Sequence, residues 1–160
     1  MSARASIAHI NVSPEGGVPK RSVPSATVTE LGLAGDTQRD RRYHGGPERA
    51  VCLFALEQIQ ALQGEGHTIT PGSIGENVTV VGLDWARIVP GSRLELGDQV
   101  VVEVTRYTSP CFNIKSSFSG GDYSRVSQKT YPGWSRVYAR VLVPGEIRTG
   151  DPVIRLDGNR

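Results

Sequence analysis

Turn-forming residues interrupt this chain at short intervals, and that punctuation limits its fold more than any other feature. The 160 residues include 19 glycines and 10 prolines, and only one stretch between them carries apolar residues at helical spacing. Short apolar segments bounded by such residues make strands joined by turns. Strands are expected at 6–12, 25–31, 50–54, 78–81, 93–96, 99–106, 137–143 and 152–156. The pair 93–96 and 99–106 reads as a hairpin around Gly97-Asp98. Leu56, Ile59 and Leu62, closed by Gly64, predict the one clear helix. Residues 123–134 read as a short helix or an irregular loop. Val89-Pro90-Gly91 with Gly97-Asp98 is echoed by Val143-Pro144-Gly145 with Gly150-Asp151, which suggests two hairpins built on the same turn residues. Strands of this number and length predict a mainly β fold: a closed or nearly closed antiparallel β-barrel with a few short helices. The length suits a single domain over residues 1–160, with a core from about residue 6 to 156.

Charge and composition exclude some functions. With 18 basic and 16 acidic residues the net charge is +2, which neither demands nor excludes a polyanionic partner. Apolar runs span only a few residues, so no membrane crossing is expected. The first residues lack the apolar core of a signal peptide. Two cysteines, Cys52 and Cys111, suit a reducing compartment without a disulfide, and a cytoplasmic location is expected.

Candidate chemistry falls in three loops. Cys111 follows Pro110 just beyond the strand pattern 99–106. Pro110 fixes its own φ, and amides of a helical turn opening after Cys111 would favour the thiolate, the form that binds metal or attacks. A buried, inert thiol is the competing reading. Cys52, inside the apolar run Ala50-Val51-Cys52-Leu53-Phe54, reads as core. In His44-Gly45-Gly46-Pro47, two glycines let the backbone approach a ligand, and Arg39, Arg41, Arg42 and Arg49 would attract an oxyanion. The alternative is a tight turn among solvated arginines. Gly72-Ser73-Ile74-Gly75-Glu76-Asn77 is a second glycine-rich loop, where Asn77 offers a donor and an acceptor. By itself it is also an ordinary loop before a strand. No dinucleotide or Walker loop, zinc spacing or nucleophile elbow is present. A metal held through Cys111 would therefore need most of its ligands from a cofactor. Few aromatics lie beside Arg39–Arg42, so a nucleic-acid partner is not expected.

Taken in order, Gly35-Asp36, His44-Gly45-Gly46-Pro47-Glu48-Arg49-Ala50, Pro71-Gly72-Ser73-Ile74-Gly75-Glu76-Asn77-Val78-Thr79 and Pro110-Cys111 resemble the MOSC domain, named after the C-terminal domain of molybdenum cofactor sulfurase. The resemblance runs from about residue 6 to residue 156 and is nearest to small stand-alone bacterial members. It implies a mainly β barrel and a molybdenum cofactor (molybdopterin), with Cys111 as metal ligand and catalytic residue. His44, Gly45, Gly46, Arg49, Gly75, Glu76 and Asn77 would then hold the pterin and its phosphate. The dithiolene and oxo groups of such a cofactor would supply the remaining ligands. Relatives of this kind reduce N-hydroxylated compounds, which implies a small-molecule N-hydroxylated substrate. No flavin or iron–sulfur motif is recognisable, so electrons would come from a separate electron-donor protein. A non-catalytic cofactor carrier, or a sulfur carrier using a Cys111 persulfide, are the rival expectations. The N-hydroxyl reductases also carry an additional N-terminal β-barrel region with no counterpart in these 160 residues.

Overall fold

The computed structural model describes residues 4–37 and 46–156. Along them run β1 (Ser6–Val12), β2 (Arg21–Val23), β3 (Ser25–Thr29), β4 (Gly32–Leu33), β5 (Val51–Ala55), α1 (Leu56–Gly64), β6 (Val78–Val81), β7 (Arg93–Leu96), β8 (Val100–Tyr107), β9 (Val137–Val143), β10 (Gly145–Arg148) and β11 (Val153–Leu156). Short 3-10 turns fill several of the connections. The fold is mainly β with few helices. One sheet has the order β11-β7-β8-β9-β5-β6-β1-β2, and a small second sheet has the order β10-β3-β4.

The strand β5 explains much of this arrangement. Its residues Val51, Cys52, Leu53, Phe54 and Ala55 are all buried, as expected of a strand with partners on both sides and packing on both faces. It lies between β9 and β6. α1 starts directly from its end and buries Ile59 and Leu62. The helix and the 65–77 connection return the chain to the start of the sheet, so β6 runs parallel to β5, with Leu53 opposite Val78 and Ala55 opposite Val80. An all-antiparallel sheet was expected; the helical crossover reverses this one pair. The core gathers Ile7, Ile10, Leu53, Phe54, Ile59, Leu62, Val80, Leu94, Val102 and Ile147 between the sheets and the helix.

Among the described residues, β1 meets the segment leading into β11 through an antiparallel bridge between Ser6 and Pro152, which brings the two sides of the long sheet together. Around it, the Ile7 amide donates to the Asp151 carbonyl at 2.9 Å, Gly150 to Ile7 at 2.8 Å, and Val153 to Ala5 at 3.0 Å. Pro152 has no N–H to donate, which limits a ladder at that point.

The echoed turns behave differently from each other. β7 and β8 form the expected hairpin, with Leu96 opposite Val100. The second turn is not a hairpin: β10 pairs with β3, and β11 pairs with β7, so the chain there steps from one sheet to the other. The two turns also touch. Gly97 donates its amide to the Pro152 carbonyl at 2.9 Å. A Cβ on Gly97, whose φ is +69°, would sit 2.6 Å from the Asp151 carboxylate.

Candidate functional site

A cleft of about 320 Å³ opens where four distant parts of the chain converge. Gly17, Val18 and Lys20 come from the connection before β2, Ile74, Gly75 and Asn77 from the glycine-rich loop, Cys111, Asn113 and Ile114 from beyond β8, Cys52 and Tyr138 from the central sheet, and Arg136 from just before β9. Thr37 completes the rim.

Cys111 is half-buried and free. Its backbone is extended, and it immediately precedes the 3-10 turn Phe112–Ser117, whose Ile114 amide donates to the Cys111 carbonyl at 3.2 Å. The helical turn expected after Cys111 is therefore present. Next to it, Phe112 is largely exposed, with the Lys115 ammonium 4.2 Å from its ring.

Cys52 is free and buried, as its apolar surroundings suggested, yet it also forms part of the cleft wall. Burial pushes its thiol pKa up, against the opposing pull of Arg136. Its sulfur lies 3.9 Å from the Thr108 hydroxyl. Tyr138, beside it, has its phenol pushed up to about 12, first by burial and then by the neighbouring Cys52. Two thiols of different exposure thus face one cleft.

Asn77 was expected in a polar loop outside the core, but only 2% of it is exposed. Its side chain stitches three segments together. Oδ1 accepts from the Cys52 amide at 3.0 Å, while Nδ2 donates to the Asn11 carbonyl at 3.3 Å and to Asp36 Oδ2 at 2.9 Å. Asp36 in turn pairs with Lys20 at 2.8 Å, so Lys20 enters the cleft wall already neutralised.

Glu76 is fully buried and is not among the residues lining the cleft. Its Oε2 accepts from the Gly72 amide and from the Thr79 hydroxyl, each at 3.0 Å, and holds the loop in shape. Its Oε1 has no partner among the described residues. Burial raises the carboxyl pKa, outweighing those hydrogen bonds. Gly75 has φ +93°, and a Cβ there would come within 3.2 Å of Val18. Only glycine lets the backbone reach the cleft at this point.

Of the other loop, His44 and Gly45, like Arg39, Arg41 and Arg42, lie outside the described residues. Gly46 lines a neighbouring cavity together with Leu33, Asp36 and Thr37. The 3-10 turn Pro47–Arg49 is fixed to β8 by the Thr105 hydroxyl, which donates to the Glu48 carbonyl at 2.6 Å. Arg49 then lies with its guanidinium 5.9 Å from the Tyr138 ring. That contact ties Arg49 to the cleft through an aromatic wall residue.

Arg136 and Tyr138 escaped the sequence reading. Arg136 directly precedes β9 and has the appearance of an ordinary strand-end charge, yet it is only 6% exposed. The Trp85 indole donates to the Ser135 carbonyl at 2.9 Å, and Thr108 donates to the Arg136 carbonyl at 3.0 Å. Held there, Arg136 donates Nη1 to the Ile74 carbonyl at 2.7 Å, while its buried Nε has no acceptor. No pattern in the sequence announces this; burial of the arginine depends on the distant 74–77 loop folding over it. Among the described residues no group of three or more His, Cys, Asp or Glu side chains is arranged to hold a metal, and no helix is long and apolar enough to cross a membrane.

A family model described as the MOSC domain matches residues 40–154. Protein YiiM of Escherichia coli is 29% identical over 131 residues, covering 79% of this chain and 57% of that protein. The uncharacterized protein YflK of Bacillus subtilis is 31% identical over 138 residues, covering 85% of this chain and 61% of its own length. The chain thus spans about three-fifths of these relatives. A protein named reductase from Gibberella moniliformis is 30% identical over 71% of this chain and 21% of that protein. The crystal structure of YiiM from Geobacillus stearothermophilus superposes with a TM-score of 0.75 at 25% identity, over 95% of this chain and 75% of that one.

Proposed function

The chain belongs to the MOSC domain family, and on that footing we propose that it binds a molybdenum cofactor in the cleft and reduces small N-hydroxylated compounds such as base analogues or amidoximes. The observation that carries the reading is the half-exposed Cys111 thiol at a cleft whose wall is thinned by Gly75. A soft thiolate donor beside room for a flat, polar group fits a metal carried by its own organic ligand. Such a cofactor, when bound, supplies the two-electron chemistry that removes an oxygen from nitrogen.

In this reading the chain's own residues bind, orient and exclude. Cys111 serves as the single protein ligand to the metal. Gly75 admits the pterin, and Asn77 holds the wall that Gly75 opens. Glu76 keeps the loop in shape from behind. Arg49, against the ring of the cleft residue Tyr138, would help to hold the pterin phosphate, a role also proposed for His44, Gly45 and Gly46. Tyr138 and Cys52 remain protonated at neutral pH, since burial raises both, and they add no charge to the cleft wall. A separate protein donates the electrons, and the compartment is the cytoplasm. The reductase-named relative supports an oxidoreductase in the coarser sense.

Protein purified from a cofactor-competent host tests this directly. Molybdenum and pterin should copurify, and a reduced viologen should drive reduction of an N-hydroxylated base. Cys111→Ser should lose metal or turnover with its melting temperature unchanged. Full molybdenum content and turnover in that variant would sink the assignment. Failure to reduce any N-hydroxylated compound, with intact cofactor passed to an apo-enzyme, would identify a carrier instead. Cyanide-releasable sulfur on Cys111 without molybdenum would identify a sulfur carrier.

A further inference from the structure

Arg136 is the one group lining the cleft whose charge has no visible use. The other lysine or arginine in its lining, Lys20, is matched by Asp36. Arg136 forms no ion pair among the described residues. Its single hydrogen bond goes to a neutral carbonyl, that of Ile74, and its buried Nε is left without an acceptor. A guanidinium withdrawn from water in this way is costly unless an anion completes it. The Arg136 charge lowers the Glu76 carboxyl pKa as the smallest of the influences on it, and the hydrogen-bonded oxygen of that carboxyl is committed to Gly72 and Thr79. Burial raises the Glu76 carboxyl pKa while the Arg136 charge pulls it the other way, and no ion pair between the two groups forms among the described residues. The side chain is fixed before any ligand arrives: its backbone is held by Thr108, and its head by Ile74. A guanidinium presents planar, forked donors that match a carboxylate or phosphate better than a point charge does.

We infer that Arg136 makes the inner wall of the cleft an oxyanion-binding site, and that the molecule entering it carries a carboxylate or phosphate group at the end that reaches this wall. The inference deepens the proposed function, since the anion belongs either to the N-hydroxylated substrate or to the phosphate of the cofactor. The site itself depends only on Arg136 and the cleft, so it can be tested without metal or turnover.

The purified full chain should be titrated with inorganic phosphate and with acetate, followed by melting temperature and by calorimetry. Wild type should bind phosphate and rise in melting temperature. Arg136→Gln should bind at least about tenfold more weakly, the loss of a charge-assisted pair. Arg136→Lys, which keeps the charge and guards against a folding failure in the Gln variant, should retain an intermediate affinity. Because these titrations use cofactor-free protein and read phosphate binding alone, they separate this site from the fate of the metal assignment. Repeating the titration on cofactor-loaded protein distinguishes the sources: lost phosphate binding assigns the wall to the cofactor's phosphate, and retained binding assigns it to the substrate's anionic group. No phosphate or acetate binding to wild type, or equal binding to folded Arg136→Gln, would overturn the inference.

Discussion

Asn77 and Glu76 stand side by side and do opposite things. Asn77 uses its whole amide on Cys52, Asn11 and Asp36, so Asn77→Ala strands buried groups on three segments. It should cost about 3 kcal/mol of stability, taking roughly 1 kcal/mol or more per abandoned buried partner. Urea unfolding of cofactor-free protein checks this, and a loss under about 1 kcal/mol would show that water replaces the amide. Glu76 is buried with one carboxyl oxygen unpartnered and its pKa raised by burial. A raised folded-state value means that the stability neutral Glu76 permits is fully present below the ordinary carboxyl range and is lost as pH climbs through the raised value. Glu76→Gln cannot ionise. As pH rises above the ordinary carboxyl range the wild type should therefore lose melting temperature relative to this variant; parallel curves would show that Glu76 titrates normally. Cys52→Ser should be mildly destabilising, by about 1 kcal/mol, because the shorter hydroxyl falls out of reach of Thr108, which lies 3.9 Å from the sulfur, and packs less well in β5.

Among the elements, one tight constraint is the contact between the turn of the β7–β8 hairpin and the turn leading into β11. Gly97→Ala meets both a left-handed backbone and the Asp151 carboxylate. Gly91 also has positive φ, at +95°, but nothing lies within 4 Å of its would-be Cβ. Gly91→Ala should therefore carry the backbone strain alone, about 1 kcal/mol, and Gly97→Ala that strain plus the displacement of Asp151, about 2–3 kcal/mol. Chemical denaturation of both variants separates the two costs, and equal losses would mean that Asp151 moves aside freely. The strands missed in the sequence belong to the same scale. β2 and β4 are three and two residues long, too short for alternation to register. β10 begins immediately after Val143-Pro144, where turn residues mask the segment Gly145-Glu146-Ile147-Arg148. Longer segments were legible because their apolar residues alternate over several positions, as in β8, where Val100, Val102 and Val104 are buried.

For the molecule as a whole, loops were easier to read than their meeting place. Cys111, Gly75 and Asn77 stood out because glycine and cysteine are conspicuous residue types in polar surroundings, and all three line the cleft. Arg136 and Tyr138 were hidden because their importance arises from pairing across the sheet, which adjacent residues do not encode. The order of strands has a further consequence, in time. β9 is made late in the chain but lies in the middle of the long sheet, between β8 and β5. Until it is synthesised, β7 and β8 have no route of pairing to β5, β6 and β1, and the cleft has neither Arg136 nor Tyr138. Joining such sequence-distant parts demands loop closure before any contact rewards it, a topology that slows folding. On the ribosome, the two halves of the sheet must wait unjoined, each with an open strand edge, and this interval is when the nascent chain most needs a chaperone's shelter.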